Sequence, residues 1–397
     1  MNGNLFARLA AGFPAERQAD FLETAAGEGW SVGRVLDLAG RMTTVLRAAG
    51  VAPGDRVAAQ VATSPEAVCL YLACLQAGAV FAPLDPGYAP SELAWLLDDL
   101  EPRLAVCDPE AEGAVAGAAR AARAAVYTLG ADGSGRLVAE AAALPSDRWV
   151  ARRAGGDLAL ILRSEAGDGR PRGAMLTHDN LWSNIAALHW LWGLRPGDVL
   201  LQALPLHRWD GLAVALNLGL LNGGGILLAP GAEAARLSRA TVLIAGSEEL
   251  EALADRGAGA GLRLVAACAP LSPRARTAWA ATGRLVLEAW GGPGFGVAAS
   301  PLPGETAARA LPGVGLRAVG SDGASLPPGT PGRLEVRGPN VARGFWRDPE
   351  ATARAVGPEG WLATGAWGAV DEDGVLRLGA AVGGEAPLPR AASGGRR

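Results

Sequence analysis

The sequence of 397 residues contains no lysine, so all 36 of its Lys-plus-Arg residues are arginine. A GC-rich codon bias replaces surface Lys by Arg at little cost. It does not remove a lysine that chemistry needs, because ammonium and guanidinium differ in size, hydration and reach. Any step requiring a lysine is therefore excluded within these residues. Cysteine is scarce too: Cys69, Cys74, Cys107 and Cys268 lie in apolar surroundings without CxxC spacing, which argues against a zinc site or disulfide framework and for buried thiols in a reducing cytoplasm. Of the three histidines, His178 and His189 would stand roughly 16 Å apart along a helix, too far to share a metal with His207 elsewhere. The net charge is only −4, with scattered basic residues, so neither nucleic acid nor an anionic membrane surface is expected. The N-terminus has no long apolar run, and no signal peptide is expected. The apolar segment Gly211 to Pro230 is interrupted by Asn217, Asn222 and a Gly triplet. It reads as a core helix, a turn and a buried strand rather than a membrane span.

Half of the sequence is hydrophobic, and its 56 Gly and 27 Pro are spread between apolar runs. That composition predicts packed globular units, two or three at this length. Helical spacing over Arg34 to Gly50 is followed by a turn and a strand. A helix capped by Ser64, another strand and a helix capped by Ser91 come next. This βαβα order implies an α/β fold with largely parallel sheets. The expected units are an α/β region over 1–156, a second over 157–301 and a β-rich region of short strands over 302–380. A frayed tail is expected over 381–397.

The stretch LILRSEAGDGRPRGAMLTHDNL, Leu160 to Leu181, runs from a strand through a glycine-dotted loop to a helix opening at THDNL. That is the layout of a phosphate cradle. With NLFARL, SPEAVCLYLACLQAGAVFAPLD, GAMLTHDNL, EVRGPNVARGFWRDPEAT and DEDGVLRLG, it makes the chain resemble the AMP-forming acyl-CoA synthetases over nearly its whole length. Among these adenylate-forming enzymes it looks most like the malonyl-CoA synthetases. The resemblance implies two α/β subdomains and a β-barrel-like subdomain. It also implies an activity in which ATP and a carboxylate give an acyl-adenylate, whose acyl group passes to coenzyme A. The family's smaller, mobile C-terminal catalytic domain has no counterpart here and is expected to be absent.

Position by position, the chain departs from that pattern. The family's hydroxyl-rich phosphate loop, ending in a lysine, corresponds to Ser164, Glu165, Ala166, Gly167, Asp168, Gly169, Arg170, Pro171, Arg172 and Gly173. A carboxylate about 4 Å from one phosphate charge costs around 4 kcal/mol at an effective dielectric of 20, and Glu165 and Asp168 place two there. Arg170 and Arg172 would be consumed in neutralising them. The family's Tyr-Gly-x-Thr-Glu, whose Glu helps hold Mg²⁺, reads Trp290, Gly291, Gly292, Pro293, Gly294, preceded by Ala289 where malonyl-specific members carry an Arg. The ribose-binding Asp of Thr-Gly-Asp is Ala366, and the His-containing stretch beside the acyl pocket reads His207, Arg208, Trp209, Asp210, Gly211.

Local readings accompany these. His178 follows Thr177 and precedes Asp179, either of which makes a helix N-cap. The GGPGFG stretch is a turn, with Trp290 and Phe295 plugging the former nucleotide site. Trp182, Trp190 and Trp192 are expected in the core. The expectation is a degenerate member of the family, with no ATP, Mg²⁺ or CoA requirement. It would act by binding an active synthetase, another biosynthetic enzyme, or a small carboxylate or acyl ligand. The opposing expectation is a divergent synthetase that still activates a carboxylate with ATP.

Overall fold

The computed structural model describes residues 2–164, 172–230, 239–256, 261–357 and 359–379. Two predominantly parallel sheets dominate it. The first runs in the order Ala125–Thr128, Leu104–Cys107, Arg56–Gln60, Val80–Pro83, Leu158–Ser164 and Arg172–Thr177; only its last pair is antiparallel. The second runs Val286–Glu288, Leu264–Ala267, Val242–Ile244, Leu200–Gln202, Ile226–Leu228, Asp20–Thr24 and Gly29–Ser31, again antiparallel only at its last pair. Such strands are buried on both faces and read as apolar runs.

The helix Pro65–Ala77 belongs to the core they share. Every residue from Ala67 to Ala77 is buried, as expected for a helix apolar all round. Its ends are set locally: Ser64 accepts from the Ala67 amide, Pro65 occupies the first turn, and Gly78 closes the helix at φ 74°. Gln76 donates to the Asp147 and Trp149 carbonyls, and the Tyr71 hydroxyl donates to Asn217 at 3.1 Å. Asn217 is thus a buried hydrogen-bond partner inside the apolar run that ends at Pro230. The Gly triplet of that run, Gly223, Gly224 and Gly225, has φ of 89°, 99° and 72°. Three successive left-handed residues turn the chain from the helix Asn217–Leu221 into the strand Ile226–Leu228.

Two antiparallel sheets form the β-rich part. One is Trp290–Gly292, Gly296–Ser300 and Arg309–Ala310; the other is Gly315–Val319, Gly332–Arg337, Leu362–Val370 and Leu376–Leu378. Their joint core contains Trp290, Phe295, Ala298, Leu334, Val336 and Leu362. All four cysteines are free and buried. Among the described residues no helix is long and apolar enough to cross a membrane.

The sheets do not follow the expected divisions at 156 and 301. Asp20–Ser31 pairs into the second sheet, and Leu158–Thr177 completes the first. The β-rich core begins at Trp290. Pairing across the chain, not local texture, sets these boundaries. Ser91 is not a cap: the helix is Pro90–Leu100, and Glu92 reaches back to the Ala89 amide at 3.0 Å. Trp192 is fully buried and donates to Ser300, Trp182 is half-buried, but Trp190 is 73 % exposed. It sits in the last turn of the helix, on the face opposite Leu188 and Trp192.

Candidate functional site

The expected strand-to-helix passage is interrupted by a second strand. Leu158–Ser164 pairs antiparallel with Arg172–Thr177, placing Ser164 opposite Arg172. The helix His178–Leu191 starts only after that second strand. Glu165, Ala166, Gly167, Asp168, Gly169, Arg170 and Pro171 lie outside the described residues. Thr177 is the helix N-cap: its hydroxyl accepts from the Asn180 amide, and Asn180 Oδ1 accepts from the Thr177 amide.

The outer edge of the hairpin is covered by 343–346. The Met175 amide donates to Gly344 O, the Arg343 amide to Met175 O, and the Trp346 amide to Gly173 O at 2.7 Å. This leaves no open strand edge there. Gly173 is required by the close approach: a Cβ would lie 2.7 Å from Ile161 Cγ2 and 3.3 Å from Trp346 Cβ. Trp346 anchors the segment by donating its indole N–H to Asp99 O. Arg172, at the position of the family's lysine, donates Nε to Asp348 Oδ2 at 3.0 Å. Asp348 also caps the helix Pro349–Ala355 by accepting from the Ala351 amide. That amide, with Arg172, holds the Asp348 carboxyl below its ordinary range.

The segment Trp290 to Gly296 forms the turn of the small sheet, closed by the Phe295 amide donating to Gly292 O. Trp290 and Phe295 are buried with ring centroids 5.1 Å apart, beside Leu362 in the β-rich core. Asn184 clamps the turn's exit, accepting from the Val297 amide and donating to Val297 O. Asn340 donates to Phe295 O at 2.7 Å. Ala289 is buried, its amide donating to Ala267 O. Trp209 lies against Gly291, where a Cβ would stand 2.6 Å from Trp209 Cη2. The cavity between the hairpin, the helix His178–Leu191 and this turn has about 10 Å³ of water-accessible volume, room for one water.

On the acyl side, His207 Nε2 is 3.5 Å from Asp85 Oδ2, and burial lowers its pKa. Arg208 forms a two-point pair with buried Asp210 at 3.0 and 2.8 Å, and these hydrogen bonds raise its pKa further. Cys268 lies in the same field, its thiol pushed up by burial. His178 is fully buried away from this cleft; Nδ1 accepts from the Leu5 amide at 3.1 Å.

Among the described residues, two positions expected from the sequence to meet magnesium–ATP supply no side-chain ligand. At the position expected to hold the metal, Gly294 offers no side-chain oxygen and its carbonyl accepts from the Ala342 amide, although a Cβ there would meet only Leu362 Cδ2, at 3.6 Å. At the position expected to hold the ribose, Ala366 has no side-chain acceptor, and the neighbouring Thr364 hydroxyl donates to Leu334 O. Among the described residues, no group of three or more His, Cys, Asp or Glu is placed to hold a metal. Asn184 and Asn340 were not singled out by sequence, because their partners lie far along the chain, and Asp348 was not, although the Asp-Pro-Glu start of its helix is a local capping signal. Trp209 stood inside the acyl-side stretch, but its contact with Gly291 has no local signature.

Two parallel sheets meeting a β-rich lobe, with a glycine hairpin at the junction, define the adenylate-forming class of fold. The family model described as AMP-binding enzyme matches residues 6–346, and the chain belongs to that family. It is 31% identical over 364 residues to a feruloyl-CoA synthase of Amycolatopsis, covering 85% of this chain and 70% of that protein. Among solved structures it is similar to apo MatB from Rhodopseudomonas palustris, with 38% identity, a TM-score of 0.90 and coverage of 95% of this chain and 78% of that one. It is also similar to VinN, with 25% identity, a TM-score of 0.86 and coverage of 95% and 99%.

Proposed function

We propose that this AMP-binding-family chain does not activate carboxylates with ATP and works by binding. One observation carries the reading: the positions aligned with nucleotide contacts are bare or committed within the protein. Gly294 and Ala366 carry no side-chain acceptor, and Arg172 is paired with Asp348. Losing one such contact in a working enzyme costs a few kcal/mol of transition-state stabilisation, and here several are lost together. ATP, Mg²⁺ and CoA are then not required. The bound species is an active synthetase or other biosynthetic enzyme, or a small carboxylate or acyl ligand.

The comparisons favour a second reading, a divergent CoA ligase. The 31% identical relative is named a feruloyl-CoA synthase, and MatB has been solved with ATP bound. One experiment separates the two. The purified chain is incubated with Mg–ATP and a panel of malonate, ferulate and indoleacetate, and pyrophosphate release is followed beside an intact malonyl-CoA synthetase. No release, with no calorimetric ATP binding, supports the first reading. Carboxylate-dependent pyrophosphate establishes the second.

A further inference from the structure

The first sheet carries a second concavity, apart from the candidate cleft. An arginine stands at or just before the start of each of three neighbouring parallel strands: Arg56 opens Arg56–Gln60, Arg103 precedes Leu104–Cys107, and Arg123 lies two residues before Ala125–Thr128. The backbone ladder sets them side by side. The Arg103 amide donates to Arg56 O at 2.8 Å and the Ala125 amide to Arg103 O at 3.2 Å, on strands roughly 5 Å apart. The three arginines share an open groove of about 400 Å³ with Asp55, Asp98 and Glu101. Because these strands run parallel to Leu158–Ser164, the groove lies at the end of the sheet opposite Ser164.

The charged groups of the groove are of two kinds. Arg56 serves the fold: it donates to Leu100 O and Glu101 O at 3.0 and 2.6 Å, stands 3.9 Å from Asp55 and lies over the Trp346 ring. Glu101 pairs with Arg347 at 2.7 Å, and Asp55 accepts from the Ala52 amide. Arg103 is held in place but not used up. Its Nε donates to Gly50 O at 3.1 Å, and its Nη2 lies so close to Gly50 that a Cβ there would collide with it. Both terminal nitrogens of Arg103 are left without an acceptor. Arg123 and Asp98 make no hydrogen bond or ion pair. The groove thus presents two guanidinium groups, one of them pre-positioned, and one carboxylate, none neutralised by a neighbour.

We infer that this groove is a binding site for a small zwitterion, an amino acid whose carboxylate meets Arg103 and Arg123 and whose ammonium meets Asp98. The planar guanidinium fork suits a carboxylate at two points, and arginines rising from adjacent strands reach the same anion. A plain anion would also face Asp98, and a plain cation would face two arginines. Only a ligand carrying both charges satisfies all three groups. The site goes beyond the reading of the candidate cleft and does not depend on whether that cleft activates carboxylates.

The test uses the full chain without ATP, in low-salt buffer where exposed charges are least screened. Calorimetry follows unbranched ω-amino acids from glycine to 6-aminohexanoate, each beside the plain carboxylate and the plain amine of the same length. The expected result is that one member of the series binds at least about tenfold tighter than either of its single-charge counterparts. Asp98→Asn should bring that member down to the level of the plain carboxylate, and Arg123→Gln should weaken it about tenfold. Neither side chain has a partner within the protein, so both variants should unfold at the urea concentration of the wild type. No saturable binding by any member up to about 10 mM overturns the site. A plain carboxylate that binds as tightly as the best amino acid overturns the role of Asp98. Unchanged affinity in both variants places the binding elsewhere and overturns the proposal.

Discussion

The two flanks of the candidate cleft differ in what their side chains do. On the hairpin flank Gly173, Gly344, Trp346 and Asp348 each meet a structural demand: close approach, a left-handed turn, an anchor into the first sheet and a helix cap. On the turn flank, Gly294 and Ala366 carry no side-chain acceptor, and only their backbone is tied in: Gly294 O accepts from the Ala342 amide, and the Ala366 amide donates to the Thr364 hydroxyl. A family motif thus contains residues of two kinds. Those that hold backbone to backbone do so whether or not a nucleotide binds; those that offer an oxygen to a ligand matter only when one does.

This contrast is open to direct attack. Among the largest expected effects is Trp346→Ala, which strips a half-buried indole and its bond to Asp99; about 3 kcal/mol of stability should be lost in urea unfolding. Of similar size is a pH effect at the start of the helix that follows the hairpin. Burial, with Arg153 and Arg8, lowers the His178 pKa to about 4 from an ordinary 6.5. The unfolded chain therefore takes up a proton that the folded chain refuses. This contribution is fully present above the unfolded value and is lost as pH falls from about 6.5 toward 4. It amounts to about 3.5 kcal/mol at roughly 1.4 kcal/mol per pH unit. A His178→Gln variant should show a flatter stability profile across that window; an equally steep one would assign the slope to other groups.

Smaller effects separate cap from charge. Asp348→Ala should cost about 1–2 kcal/mol, because it removes a helix cap as well as an ion pair. Arg172→Ala should cost less than about 1 kcal/mol, since that pair is partly exposed. Equal losses would mean that Asp348 serves mainly to hold Arg172. The smallest effect belongs to the other flank: Gly294→Glu has space for its Cβ and should leave stability within about 0.5 kcal/mol. A large loss there would show that the turn flank is constrained by the fold after all.

Much of this was legible along the chain. The helix Pro65–Ala77, with Ser64 before it and Gly78 after it, follows from local chemistry, as do the Thr177 cap and the turn at Gly292 to Phe295. The boundaries at 156 and 301 were not legible, since texture does not say which sheet a strand joins. Ser91 misled because Pro90 and Glu92 shift the cap to Ala89.

The sequence by itself determined the covalent facts: no lysine, no side-chain acceptor at Gly294 or Ala366, and arginine at position 172. No fold restores an atom the chain lacks. Only the tertiary structure decided what the retained groups do. Arg172 meets Asp348 across 176 residues, Trp209 settles on Gly291, and Asn340 reaches the turn at Phe295 with its oxygen left over. Such partnerships depend on which surfaces the sheets bring together, and hydrophobic period and capping chemistry extend only a few residues along the chain.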